Sequence, residues 1–491
     1  MRQPIAMLWL FLAAACIRPD ADSESDGSGA ADPEAPLSAA SAPAASPTPA
    51  GFEAEKLAGG PVRVVWTRDV GDGTDIISSG ERLVLMGLDS RDDLAERLIL
   101  SEPSSYAKPL ITPRGDRVVF SKTSENSVHI VDWDGTGERR LASGFLLTVW
   151  KDPRSGREWA YVGSEQAGRN PPAYRVITRH LLDEPAVAER VWNGEPVSGN
   201  TFQLSRDGRF AGGLFPWPKA GVADLEAGTW NKLGEGCWTG FSQDDSHLLW
   251  IFDGSHRNLT LVDAGGERRW RVTINSAPGI DGFEVYHPKW ANRPRFLVVT
   301  GPYTVGAGEN KIRGGGSQVE IYLGRFAPDF TAVEKWARIT YNDSADFYPD
   351  AWIDPSGAAV AADAQVIGPS ATDAPPVADG EKHPRRLVVD VEALRDVRLP
   401  TPTEIAPYRQ GLLAMEYSVL DVIEGRYDAA KVLAAHWVIR DERVLDEAKR
   451  SKGDRFRLTL EPYDDHPELE GQRLVMETDD FLLPLYYDTG S

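Results

Sequence analysis

One stretch of grammar returns along this chain about every forty to fifty residues, and a chain built that way stacks units rather than growing a single core. Its clearest copy starts at Pro109 and reads PLITPRGDRVVFSKTSENSVHIVDWDGTGERRLA. It parses as four short strands, with turns at Pro113–Gly115 and Asp134-Gly135. An Asp-Gly pair marks a tight hairpin, because such turns need positive φ. The pattern recurs as FQLSRDGRFAGGLF from Phe202 and WTGFSQDDSHLLWIFDG from Trp238. It drifts further in VWKDPRSGREWAYVG from Val149, HPKWANRPRFLVVTG from His287 and YPDAWIDPSGAAVAADA from Tyr348, and residues 63–103 hold a fragmentary copy.

A lone four-stranded sheet leaves a face bare, so such units pack radially. The expectation is an all-β chain: a six- or seven-bladed β-propeller over residues 61–397, then a small antiparallel β domain. The first unit lacks a clear opening strand. If Tyr348–Ile353 supplies it, the ring has six blades; if Arg63–Thr67 closes onto the last unit, it has seven. Ser205-Arg206-Asp207-Gly208, Pro113-Arg114-Gly115 after Pro109, and Pro349 with Trp352 and Asp354-Pro355-Ser356-Gly357 resemble the TolB-like branch of propellers, related to the WD-repeat class. The resemblance spans roughly residues 60 to 395; it implies fold and is nearly silent on function. Trp150, Trp238, Trp290 and Trp352 fall at like places in their units and are read as packing blade on blade.

The ends read differently. MRQPIAMLWLFLAAAC opens the chain with Arg2, a short apolar run and small residues before Cys16. The run is too short to span a bilayer. Residues 1–16 resemble a bacterial lipoprotein signal peptide, which implies that Cys16 carries lipid and becomes the N-terminus; an ordinary secretory signal is the other reading. Either exports the protein to the cell envelope. Ile17, not Asp, follows the cysteine, which by the same resemblance implies the outer membrane. Residues 17–60 are rich in Ala, Ser, Pro and Asp and are expected to form a disordered tether. Residues 398–409, RLPTPTEIAPYR, read as a linker to period-two strands over residues 410–491.

The search for chemistry finds little. The formal charge of −21 repels polyanions, so nucleic acid is not an expected partner. No G-x-S-x-G, H-E-x-x-H or phosphate loop occurs, and no cofactor is implied. Cys237, in GCWTGFS, reads as a buried, inert thiol. The long loops, expected between second and third strands on one rim, bring Arg169, Trp217, Asp253, His256, Arg257, Tyr303, Lys311 and Arg313 toward one face, with His287 near them. Guanidinium and aromatic groups suit a carboxylated or sulfated glycan. The expected function is therefore a membrane-tethered, non-catalytic binding or scaffold propeller, its partner an acidic glycan or an envelope protein. The alternative is a propeller lyase or hydrolase acting through a metal near His256 or His287.

Overall fold

A computed structural model describes residues 50–491 except 72–79, 93–95, 170–171, 245, 264–265, 294, 306–311, 314–318, 357–385, 404, 406–407, 446–447, 470, 479–482 and 491. Cys16 and most of the expected tether lie outside the described residues.

Six sheets form the propeller. Five are continuous in sequence, within residues 106–143, 145–198, 203–235, 238–273 and 284–338, each running from its innermost strand outward. The remaining sheet is made by both ends of the ring. Its innermost strand, Asp346–Ile353, pairs antiparallel with Val62–Asp69, which continues to Leu83–Asp89 and Arg97–Ser104. The Tyr348 copy thus opens the first blade, and the closure gives six blades rather than seven. Locking first to last in one sheet ties the ring by a ladder of backbone hydrogen bonds and leaves no free edge at the seam.

Burial grades outward. Every residue of Asp346–Ile353 and of Tyr106–Ile111 is buried, because inner strands face both neighbouring blades. The outer strand Arg97–Ser104 has one buried position, Ile99. Tryptophans join the blades, as expected. Trp352 Nε1 donates to Pro113 O at 3.0 Å, and Trp150 Nε1 to Ser205 O at 3.1 Å, each reaching the next blade's first turn. Gly115 and Gly208 complete those turns at positive φ, where an added Cβ would stand 2.6 and 2.5 Å from the two indoles. That close approach is why the repeated turn ends in glycine.

The expected tether ends in structure. Ala50–Ala58 is helical, and Ala54, Leu57 and Ala58 make a stripe buried against Val62, Val64 and Phe296. Arg293 and Arg325 donate to the last carbonyls of this helix, Ala58 O and Leu57 O.

The chain then leaves the ring. Leu387–Ala393, assigned to the propeller on sequence, pairs instead with Gly411–Glu424 and Arg455–Pro462. With Lys431–Arg440 and Leu485–Asp488 these strands close into a small barrel. Its pairing is antiparallel apart from two parallel ladders, Gly411–Glu424 with Arg473–Glu477 and Lys431–Arg440 with Leu485–Asp488. The apolar alternation VVDV at 388–391 fits a strand in either sheet, so periodicity alone does not assign it.

Candidate functional site

The inner strands of the propeller carry a repeated irregularity. Lys108, His287 and Tyr348 each precede a proline, and each has positive φ, 50°, 52° and 48°. The ladder register shifts beside Lys108 and His287, as at β-bulges. Proline has no N–H to lose there. All three side chains line one axial cavity of about 40 Å³, walled also by Trp238, Trp250 and Lys289. That space holds about three waters, or one small polar group.

Two of its polar groups, the His287 ring and the Lys108 amine, are poorly satisfied. His287 is buried, and its ring lies 4.1 Å from that of Tyr348 and 5.5 Å from that of Trp238. Thr300 Oγ1 donates to Tyr286 O, so His287 Nδ1, 3.3 Å from Thr300 Oγ1, donates to that oxygen. Nε2 is then a bare acceptor, and it has no partner among the described residues. Burial alone lowers the His287 pKa to about 3. The Lys108 amine is fully buried, donates to Gly199 O at 3.1 Å, and is held well below the ordinary lysine value by burial and by Lys289, against the pull of Asp350. Lys289 itself pairs with Asp350, which also accepts from Ile111 N at 2.7 Å.

A second cluster contrasts with this one. His256, at φ 56°, is fully buried where the barrel meets the propeller. Its Nε2 lies 3.3 Å from Cys237 Sγ, and its Nδ1 lies 2.7 Å from Tyr286 Oη and 3.1 Å from Glu284 Oε2. Arg473, from the barrel, donates to Glu284 Oε1 at 2.9 Å and to Gly254 O at 2.7 Å. Burial opposes charging of His256, but Cys237 and Glu284 raise its pKa in balance. Burial likewise pushes Glu284 up, while Arg473 and His256 outweigh it and hold the carboxyl at about 2. The order Cys–His–Glu is that of a thiol nucleophile with base and orienting acid. With Cys237, His256 and Glu284 exposed by 3%, 0% and 2%, the sulfur is closed to substrate while the barrel is docked.

The expected rim is therefore dispersed. His287 faces the axis. Asp253 is buried and bonded to Arg271, Ser255 and Asn258; burial pushes its pKa up, but these partners hold it below the ordinary value. Trp217 packs edge-on against Tyr408 of the barrel at 4.9 Å, and Tyr303 is buried against Tyr286. Arg257 is partly buried and donates to Gly282 O at 3.3 Å. Docking of the barrel onto this face is the physical reason that Trp217 and His256 are not at a solvent-facing rim. Lys311 and the side chains of Arg169 and Arg313 lie outside the described residues, as does the loop from Gln365. Among the described residues no group of three or more His, Cys, Asp or Glu is placed to hold a metal. Lys108 and Tyr348 escaped the sequence reading, although the recurring X-Pro pairs at inner strands mark both. Arg473 left no signal.

Fold and site together define a six-bladed β-propeller with a closed β-barrel docked on it and a small axial pocket. No protein-family profile matches the chain, and no curated protein does. Solved structures do. TolB from Acinetobacter baumannii is 14% identical with a TM-score of 0.40, over 60% of this chain and 66% of that one, just under two thirds of its length. A putative TolB from Agrobacterium tumefaciens is 10% identical with a TM-score of 0.37, over 58% of this chain and 91% of that one. A Kuenenia stuttgartiensis hydrazine synthase chain is 12% identical with a TM-score of 0.32, over 46% and 71%. The blade count and closure rest on the strand pairing, not on these likenesses.

Proposed function

We propose that the protein is a lipid-anchored binding protein of the bacterial envelope whose axial pocket receives the carboxyl group of an acidic glycan. One observation carries this reading: a buried, unpartnered His287 Nε2 and a buried, under-satisfied Lys108 amine line the same small cavity. Each such atom costs roughly 1–3 kcal/mol while unmet. A carboxylic acid meets both: its proton passes to His287 Nε2, and its oxygens accept from the N–H so formed and from the Lys108 amine. The pKa values of His287 and Lys108 are depressed in the free protein, so binding a carboxylate takes up a proton. Affinity therefore rises as pH falls.

Calorimetric titration with glucuronate at pH 5.5 and pH 7.5, in two buffers of different ionisation enthalpy, tests this. Tighter binding and proton uptake at the lower pH are expected, with glucose silent and Lys108→Met abolishing the signal. Equal affinity for glucose and glucuronate, or proton release, rejects the reading; binding of a peptide carboxylate alone moves the ligand class to a protein partner. The anchor is tested apart: Cys16→Ser leaves the melting temperature unchanged and frees the protein from membranes under a carbonate wash. Retention on the membrane refutes it.

A further inference from the structure

A larger cavity lies away from the axis, between the second and third blades, with a volume of about 360 Å³. That is within the range of small-ligand pockets. Its walls come from the hairpin around Ser124, the inter-blade link at Ser143–Gly144, and the hairpin of Glu158–Arg169 with Pro172–Leu181.

Its chemistry is unlike that of the axis. Among the described residues lining it there is no Lys, Arg or His; there are hydroxyls, amides, two carboxylates and one ring. The ring is Tyr174, buried and stacked on Phe145 at 5.8 Å with the planes 8° apart. Gly163 fits the ring tightly: a Cβ there would stand 2.7 Å from Tyr174 Cγ. The wall above is fixed by Gly144 N donating to Asn126 O at 3.0 Å and by Ser124 Oγ, 2.7 Å from Ser105 Oγ. Glu125, Asn126, Glu165 and Gln166 stand exposed at the mouth.

We propose that this cleft binds a neutral hexose. A sugar offers hydroxyl donors to carboxylates and amide oxygens, and hydroxyl acceptors to amide N–H and hydroxyl groups, without needing a cation. The Glu125 and Glu165 carboxylates, with no basic side chain among the described lining residues, turn away uronate, sulfate and phosphate. The cleft adjoins the axial pocket: a Cβ on Gly199 would stand 3.0 Å from Tyr174, and Gly199 O is the acceptor for Lys108. The inference deepens the acidic-glycan reading, on which its last step rests, because a neutral unit here and an acidic unit at the axis fit neighbouring residues of one glycan.

Saturation-transfer NMR on the full chain, with free D-glucose, D-galactose and N-acetyl-D-glucosamine at millimolar concentration, tests the cleft alone. At least one hexose is expected to show transfer to its ring protons, and glucuronate not to compete with it. Ser124→Trp and Gln166→Trp, both at exposed positions, should block transfer, the second without moving the melting temperature, while Lys108→Met leaves it intact. No transfer from any of the three sugars overturns the proposal, as does transfer that survives both blocking variants. Loss of transfer in Lys108→Met would mean that the sugar sits at the axis instead. Hexose binding without glucuronate binding keeps the cleft and rejects the axial reading; the reverse keeps the axis and rejects the cleft.

Discussion

Two buried histidines on neighbouring blades separate what holds this molecule together from what is left open in it. His256 and His287 share a left-handed backbone and near-complete burial. His256 has Cys237, Glu284 and Tyr286 on its nitrogens and Arg473 beside them. His287 has one weak partner and a bare nitrogen facing a cavity. Burial drives both toward the neutral form, and only His256 has neighbours that reverse the shift. A satisfied buried network fixes a packing arrangement, whereas an unsatisfied one persists at a cost that a ligand can offset.

The sharpest way to break the contrast is Arg473→Met. It leaves the Glu284 carboxylate buried without its cation, and breaking such a pair by removing one partner costs about 3–5 kcal/mol. Urea denaturation at neutral pH should show this loss, together with faster alkylation of Cys237 as the barrel loosens. A change under about 1 kcal/mol would show that Glu284 finds other partners, and the junction would no longer count as a lock. The junction also predicts the fate of a chain cut after Arg398. Such a chain keeps Leu387–Ala393 but loses both its neighbours, Gly411–Glu424 and Arg455–Pro462. It should aggregate or melt earlier than the full chain, and a soluble truncation with an unchanged melting temperature would contradict the shared core.

Much of the propeller was legible because its repeat is local. Pro113–Gly115 and Ser205–Gly208 announce turns by their own chemistry, and Trp150 and Trp352 announce the neighbour they pack on. The ring closure was legible as a pair of alternatives, since Tyr348–Ile353 reads as an opening strand with no unit after it. The barrel was legible as strands but not in its membership, because Leu387–Ala393 satisfies two sheets equally in pattern. The site was legible only in part. His287 was named, but as a rim residue rather than an axial one, since a sequence shows spacing and not the bulge that turns the side chain inward. Cys237 was read as buried, which it is; its bond to His256 crosses nineteen residues, and Arg473 reaches Glu284 across 189. Contacts of that separation leave no local trace.

Next in size is His256→Asn, a replacement that tolerates the left-handed backbone. It should cost about 1–3 kcal/mol, the range for stranding buried partners, measured by the same denaturation. A neutral result would make the His256 network dispensable and remove half of the contrast.

The smallest effect is the most telling, and it comes from His287→Asn. The native His287 pKa is about 3 and burial is the cause, while an unfolded histidine titrates near 6.5. Below about pH 6.5 the unfolded chain therefore binds a proton that the folded chain refuses, so this residue destabilises the fold as pH falls. For those two values the penalty is about 1 kcal/mol at pH 5.5 and close to zero at pH 7.5. His256 acts in the opposite sense: its raised pKa adds stability that is full below about 6.5 and is lost as pH rises through the folded value. His436, lowered to about 4 by burial against the pull of Asp488, adds a penalty of the same sign as that of His287 and is untouched by this substitution. Comparing wild type and His287→Asn at the two pH values cancels any constant cost of the substitution. The variant should lose about 1 kcal/mol less than wild type on going from pH 7.5 to pH 5.5. If the two proteins lose stability in parallel, His287 charges freely in the folded state, the cavity already supplies its proton with a partner, and the case for an unmet acceptor on the axis falls with it.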